Sequence, residues 1–252
     1  WGFFKCPVCG FVWLNPRPMS KDIPKLYNKY YTRALDDSAR ASWFSTRRKI
    51  KRAIYSTANG YRALADGWLW YQLGKLLNVV PLFREMSRLG IMCLDNGRKG
   101  RLLDVGCGSG EFLALMRDAG WEVYGVEADT EAAQLVQQRF GIPAFSGDLA
   151  EASFPDSFFD AVTLNHVIEH VADPMRLLRE CRRIMDHRGK LVIVTPNIES
   201  LGHRIFRQFW FHLDPPRHFY LFSLTTLRTV IEKCEFQTNV MRTSARVVSE
   251  DW

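Results

Sequence analysis

The chain has 252 residues, 47% of them hydrophobic, enough for one large α/β domain with an appendage or for two small domains. It holds no uncharged apolar run of about 18 residues or more, and Trp1 to Lys5 lack the basic-then-apolar layout of a signal peptide, so neither a membrane-spanning helix nor a leader is written in it. The net charge of +7 is local: Arg40, Arg47, Arg48, Lys49, Lys51, Arg52 and Arg62 lie between Ser38 and Ala65 with no acid among them, and the other basic residues balance the 27 acids, which argues against a chain built throughout for nucleic acid.

Residues 1–19 read as a cysteine knuckle, Cys6-Pro7-Val8-Cys9-Gly10, followed by the loop Asn15-Pro16-Arg17-Pro18. Cys6 and Cys9 have the spacing of half a four-cysteine zinc site. Cys93, Cys107, Cys181 and Cys234 are single, so zinc requires a second pair upstream; the alternative is a reduced dithiol without metal. Scattered single cysteines also point to a reducing, cytoplasmic setting. The chain starts at Trp1 without a methionine and ends at Trp252 soon after a strand-like run, as a piece of a longer protein would.

Residues 20–97 read as a helical extension carrying the basic run and the aromatic cluster Trp68, Trp70 and Tyr71. A cap packed on the following domain is the simplest role. Basic and interfacial aromatic residues together also suit a partner surface, or peripheral contact with anionic lipid through residues 40–83.

From residue 98 the texture changes to strands alternating with helices. Strands are predicted at 101–105, 122–126, 143–146, 161–164 and 191–194. The intervening helices run over 111–119, then from an Asp129 cap to Phe140, and from Asp173-Pro174 to a stop at Gly189, with Leu178, Cys181 and Met185 on one face of the last. That alternation predicts an α/β fold with a mainly parallel, Rossmann-like sheet covered on both faces. Right-handed crossovers bring all strand C-termini to one edge, where ligands of such sheets bind.

At that edge the sequence places Leu102-Leu103-Asp104-Val105-Gly106-Cys107-Gly108-Ser109-Gly110, a strand running into a glycine turn and a helix. Glycines suit a tight turn with a ligand close to the backbone. The next strand ends in Glu127, whose carboxylate can accept both hydroxyls of a ribose, and Gly147-Asp148 follows the third strand. A dinucleotide-binding fingerprint would need its third glycine one residue later.

These residues, with Val123-Tyr124-Gly125-Val126-Glu127, Asn165-His166-Val167-Ile168-Glu169-His170-Val171 and Gly189-Lys190-Leu191-Val192-Ile193-Val194-Thr195-Pro196-Asn197, resemble class I S-adenosylmethionine-dependent methyltransferases, the broad group that includes the ubiquinone-biosynthesis O-methyltransferases. The resemblance runs from about Gly100 to Phe236 and implies a methyltransferase domain over 98–252 with S-adenosylmethionine as cofactor. Gly106, Gly108 and Gly110 would face its methionine and ribose portions, with Asp104 supporting the turn. Glu127 would hold the ribose and Asp148 the adenine amine, while Asn165 and His166 would line the pocket. Relatives often carry a complete zinc ribbon, of which Cys6 and Cys9 would be half.

Transfer to a hydroxyl needs a proton acceptor. His170, one helical turn past His166, is one candidate; His218, in Asp214-Pro215-Pro216-Arg217-His218-Phe219-Tyr220, is the other. The expected acceptor is a small molecule or glycan, methylated on oxygen or carbon. Nucleic acid is disfavoured, because the fourth strand ends without the Asn/Asp-Pro-Pro-aromatic motif of DNA amino-methylating enzymes. A non-catalytic binding or regulatory protein that keeps the fold is the alternative.

Overall fold

The computed structural model describes residues 1–19, 41–97 and 99–244, together with Asp22 and Leu26. Arg40 and the strand-like run near the C-terminus lie outside the described residues.

The core is a five-stranded sheet ordered β5-β4-β3-β6-β7, with every neighbouring pair parallel. Its strands are β3 (Arg101–Val105), β4 (Glu122–Glu127), β5 (Ala144–Ser146), β6 (Phe159–Asn165) and β7 (Met185–Val194). Strands covered on both faces need apolar residues on both, and the central ones have them: Leu102, Leu103 and Val105 on β3, and Ala161, Val162 and Leu164 on β6, are buried. Three helices supply the crossovers: α4 (Glu111–Asp118), α5 (Thr130–Phe140) and α6 (Pro174–Ile184). The Asp129 carboxylate accepts the Glu131 N–H at the start of α5, Asp173 accepts the Arg176 N–H at the start of α6, and Gly141 closes α5 at φ 64°. The strand order reverses beside β3. The C-terminal ends of β3, β4 and β6 therefore flank a crevice.

The helix expected to run to Gly189 instead stops at Ile184, with Leu178, Cys181 and Ile184 as its buried face. Met185 opens β7 and pairs with Phe159. Gly189 lies inside that irregular strand, where a Cβ would collide with Met185 and come within 2.9 Å of the Asp186 carbonyl. The glycine serves a close approach rather than a helix stop. The Arg188 N–H donates to the Asp186 carboxylate, a local bond that favours a turn over another helical residue.

The N-terminal knuckle is the tip of a hairpin, β1 (Gly2–Lys5) and β2 (Val12–Asn15). β2 pairs antiparallel with β8 (Tyr220–Leu221), which makes a second, three-stranded sheet. Leu14 is fully buried in one cluster with Phe219 and Phe222.

Helices α1 (Ala41–Ala58), α2 (Trp68–Leu77) and α3 (Pro81–Gly90) pack on one another, and Tyr61 and Leu64 between α1 and α2 join a buried cluster with Leu113 and Met116 of α4 and Val123 of β4. Gly74 lets α2 approach the α1 backbone at Ala53, where any Cβ would collide with the carbonyl. Arg52 of α1 pairs with Asp118 of α4 at 2.7 Å, and the Trp121 indole N–H donates to the Tyr61 hydroxyl at 3.0 Å. Beyond β7 come α7 (Leu201–Phe206), short turns at Arg207–Phe209 and Phe211–Leu213, and α8 (Leu224–Lys233), started by a Ser223–Thr226 capping box.

Candidate active site

The glycine turn opens the site. Gly106, Gly108 and Gly110 all have positive φ, at 72°, 51° and 76°. A Cβ on Gly106 would sit 2.6 Å from Val167, and one on Gly110 2.8 Å from Val136, so side chains here would clash as well as strain the backbone. The Gly106 N–H donates to the Val126 carbonyl at 2.7 Å, which folds the turn back over β4. Asp104 is buried below it and accepts a hydrogen bond of 2.6 Å from Thr163 of β6.

Glu127 stands at the end of β4, facing this turn. Its two carboxylate oxygens accept the Gly108 N–H at 2.9 Å and the Asp129 N–H at 3.0 Å. Asp148, past β5, is exposed, and its carboxylate accepts the Ala150 N–H. Asn165 ends β6, and its buried Oδ1 has no hydrogen-bond partner. Such an atom costs stability unless a ligand satisfies it. The residues fit an adenosine-type ligand: a glycine turn with no room for side chains, a carboxylate at the strand end on one side of it, and an unsatisfied acceptor at the strand end on the other. Asp104, the three glycines, Glu127, Asp148, Asn165 and His166 all fall at or beside the C-terminal edges of β3, β4, β5 and β6.

Next to this edge lies a polar cluster centred on Glu169, whose side chain is 1% exposed. His166 Nδ1 lies 3.1 Å from its Oε1, and the Thr195 hydroxyl donates to its Oε2 at 2.9 Å. Burial pushes this carboxyl up, but the His166 hydrogen bond and the charges of His170, His166 and His218 outweigh it and hold the pKa down to about 2. The carboxylate is therefore ionised. Its backbone carbonyl accepts the Phe219 N–H at 2.8 Å, which ties the Asp214–Tyr220 run to the start of the sheet crevice.

That run delivers His218, with Nδ1 2.8 Å from the His212 carbonyl. His170 Nδ1 lies 3.1 Å from the Arg217 carbonyl, and its ring meets that of His218 edge-on at 4.6 Å. One ligand atom from each of Glu169, His170 and His218 lies within 4.8 Å of the others. Burial lowers His170 to about 4, against a weaker opposing pull from Glu169, and lowers His218 and His212 as well. Arg217 caps the turn by gripping Asp214 through Nε and Nη2 at 2.8 and 2.6 Å.

Both base candidates thus sit in the cluster, but inside it. Sequence reasoning gave no role to Glu169 or Thr195. The available signal was an acid set into the apolar run Val167-Ile168 between two histidines. At the hairpin, the Cys6 thiol lies below its ordinary range because backbone N–H groups of Cys9 and Val8 point at it. Among the described residues no third cysteine or histidine is grouped with Cys6 and Cys9 as a metal-holding set.

A groove of about 430 Å³ lies between the hairpin and the segment after β7. Phe3, Val12, Leu213 and Leu221 give it apolar walls, and Lys5, Arg207, His203 and one acid, Glu199, give it polar groups. The turn that contributes Leu213 also carries His212, whose ring stacks on His166 at 6.0 Å.

A family model described as a methyltransferase domain matches residues 81–239. A ubiquinone biosynthesis O-methyltransferase of Caulobacter sp. (strain K31) is 37% identical over 157 residues, which cover 54% of this chain and 61% of that protein. A probable S-adenosylmethionine-dependent methyltransferase of Mycobacterium tuberculosis is 35% identical over 97 residues, covering 38% of this chain and 35% of that protein. This chain therefore spans between about a third and three fifths of the length of these two curated relatives. Among solved structures, an S-adenosylmethionine-dependent methyltransferase from Archaeoglobus fulgidus aligns with a TM-score of 0.50 at 28% identity, covering 70% of this chain and 80% of that one.

Proposed function

The chain belongs to the methyltransferase-domain family, whose cofactor is S-adenosylmethionine, and from that premise we propose that it methylates a small molecule or glycan on oxygen, with carbon as the second possibility. The observation that carries the reading is the strand-end constellation: a glycine turn that excludes side chains, Glu127 beside it, and Asn165 with an unsatisfied buried oxygen. When bound, the cofactor supplies an electrophilic methyl group. Gly106, Gly108 and Gly110 make room for it, Glu127 accepts its ribose hydroxyls, Asp148 its adenine amine, and Asn165 and His166 close the pocket. The groove of Phe3, Lys5, Arg207 and Leu213 supports an acceptor with an apolar body and hydroxyl or anionic groups.

The cluster around Glu169 supplies the proton acceptor, with His170 and His218 as the residues singled out by sequence. Cys6 and Cys9 would hold zinc together with a second cysteine pair. Exposed Trp68, Leu69 and Leu76 on α2 support peripheral lipid contact beside the basic face of α1; among the described residues no helix is long and apolar enough to cross a membrane.

Calorimetry with S-adenosylmethionine is the direct test, with micromolar binding, about 8 kcal/mol, as the expected result. Gly108→Val should abolish that binding, and unchanged affinity would sink the cofactor site. Radiolabelled methyl transfer to catechols, quinols and sugar nucleotides then separates an enzyme from a binding protein, which would bind the cofactor and methylate nothing. Mass spectrometry of ligand retained through purification narrows the acceptor.

A further inference from the structure

The geometry points to His166, held by Glu169 as its positioning residue, as the group that takes the acceptor's proton; this rests on methyl transfer to a hydroxyl as read above. Three observations carry it. First, His166 presents Nδ1 to an ionised carboxylate at 3.1 Å, so that nitrogen carries the proton and Nε2 keeps its lone pair. Second, the cluster's histidines differ in access. The His166 side chain is 26% exposed and the His218 side chain 6%, while His170 is half-buried, with Nδ1 turned onto the Arg217 carbonyl and its ring edge-on to His218 at 4.6 Å. Third, His166 is held in the left-handed region at φ 54°, with its N–H on the Val194 carbonyl at 2.9 Å. A β-carbon residue kept in that conformation is held there by its surroundings, and such positions concentrate at functional sites. Here the neighbour on one side is Asn165, with its unsatisfied oxygen, and on the other Val167, which packs against the Gly106 turn. The imidazole therefore stands where the cofactor edge meets the acceptor side.

In the step itself, His166 Nε2 accepts the hydroxyl proton while the acceptor oxygen forms its bond to the methyl carbon. The methyl–sulfur bond breaks and its electron pair stays on sulfur. The resulting imidazolium is neutralised by Glu169, whose second oxygen is fixed by Thr195, and the proton then leaves to solvent. The charged and titratable groups around the pair are His212 stacked on the ring, His170 and His218 beyond the carboxylate, and Asp214 4.0 Å from His218 Nε2. The same arrangement makes His170 a poor base, since burial keeps it neutral and lowers its affinity for a proton.

The first measurement needs no acceptor. Nitrogen-15 spectra of the full chain, labelled at histidine and saturated with S-adenosylhomocysteine, should show His166 with hydrogen on Nδ1 and a bare Nε2 at pH 8. Glu169→Gln should erase that preference, and Glu169→Asp should keep it in part. His166 with hydrogen on Nε2 in the unaltered chain overturns the proposal. In turnover, with catechol as probe, His166→Gln should lower kcat about 10²–10⁴-fold, far more than any weakening of cofactor binding read by calorimetry. Glu169→Gln should lower kcat less and move the acidic limb of its pH profile. Normal kcat in His166→Gln with catechol, or a divalent ion found by elemental analysis in the unaltered chain and lost in Glu169→Gln, would each overturn the assignment. Loss of cofactor binding in the unaltered chain is a different failure, that of the methyltransferase reading. Melting curves of each variant separate misfolding from lost chemistry.

Discussion

Glu127 shows how one side chain can organise a site before any ligand arrives. Its carboxylate already takes N–H groups from Gly108 and Asp129, so it links the glycine turn to the cap of α5. Replacing it with alanine removes a charged hydrogen-bond acceptor, and cofactor binding should weaken by about 1.5–3 kcal/mol. Glu127→Asp should recover part of this. Calorimetry giving an alanine variant within twofold of the unaltered chain would place the ribose elsewhere. Gly106→Ala is a second test at this scale: the clash with Val167 and the positive φ predict a stability loss of about 1–3 kcal/mol, read by urea denaturation. The strand-end residues were legible in sequence because an α/β sheet puts each strand's C-terminus at one edge, so position along the chain encodes position in space. Glu169 was not, because its role depends on Thr195 and His166 converging on it, and no local spacing announces the partner 26 residues away.

Helix starts were legible where a cap wrote them: Asp129 and Asp173 each close the first turn they precede. Ends and short pairings were less so. Gly189 carries the composition of a helix stop, yet its conformation is decided by Met185 pairing with Phe159 on another strand. β8 is two residues long and is held by β2, which lies some 200 residues earlier in sequence, so periodicity within either segment could not show it. That pairing gives the hairpin an energetic role. Leu14 is fully buried among Phe219, Tyr220 and Phe222, so Leu14→Ala should destabilise the chain by about 2–5 kcal/mol. If the hairpin is joined to the sheet domain as that shared cluster implies, urea unfolding followed by tryptophan fluorescence and by circular dichroism should shift together. A Leu14→Ala chain with an unchanged midpoint would show the hairpin to be an energetically separate appendage.

Acid stability ties the Glu169 cluster to the molecule as a whole. His170 titrates ordinarily at 6.5 and in the fold at about 4, because burial disfavours its charged form. Between those values the unfolded chain binds the proton and the fold does not, so stability falls as pH drops through that window. His218 and His212 are lowered for the same reason and act in the same direction. Glu169 works lower down. Its fold value of about 2 lies below the ordinary 4.5, so the stability it contributes is present above 4.5 and is lost on further acidification. The two windows adjoin, which predicts one long decline starting near pH 6.5, with a slope of at most about 1.4 kcal/mol per pH unit for each group. Melting temperatures at half-unit steps from pH 7.5 to 4.5 should fall steadily, and the fall should be shallower in His170→Gln. Glu169→Gln should leave the fall from 6.5 to 4.5 at least as steep, because without that carboxylate the imidazoles lose the charge that favours their protonation. A chain whose melting temperature holds constant from pH 7.5 to 4.5 would mean that the buried imidazoles are protonated as readily in the fold as out of it. In that case burial would not hold His170 and His218 neutral, and the case against His170 as the base would have no basis.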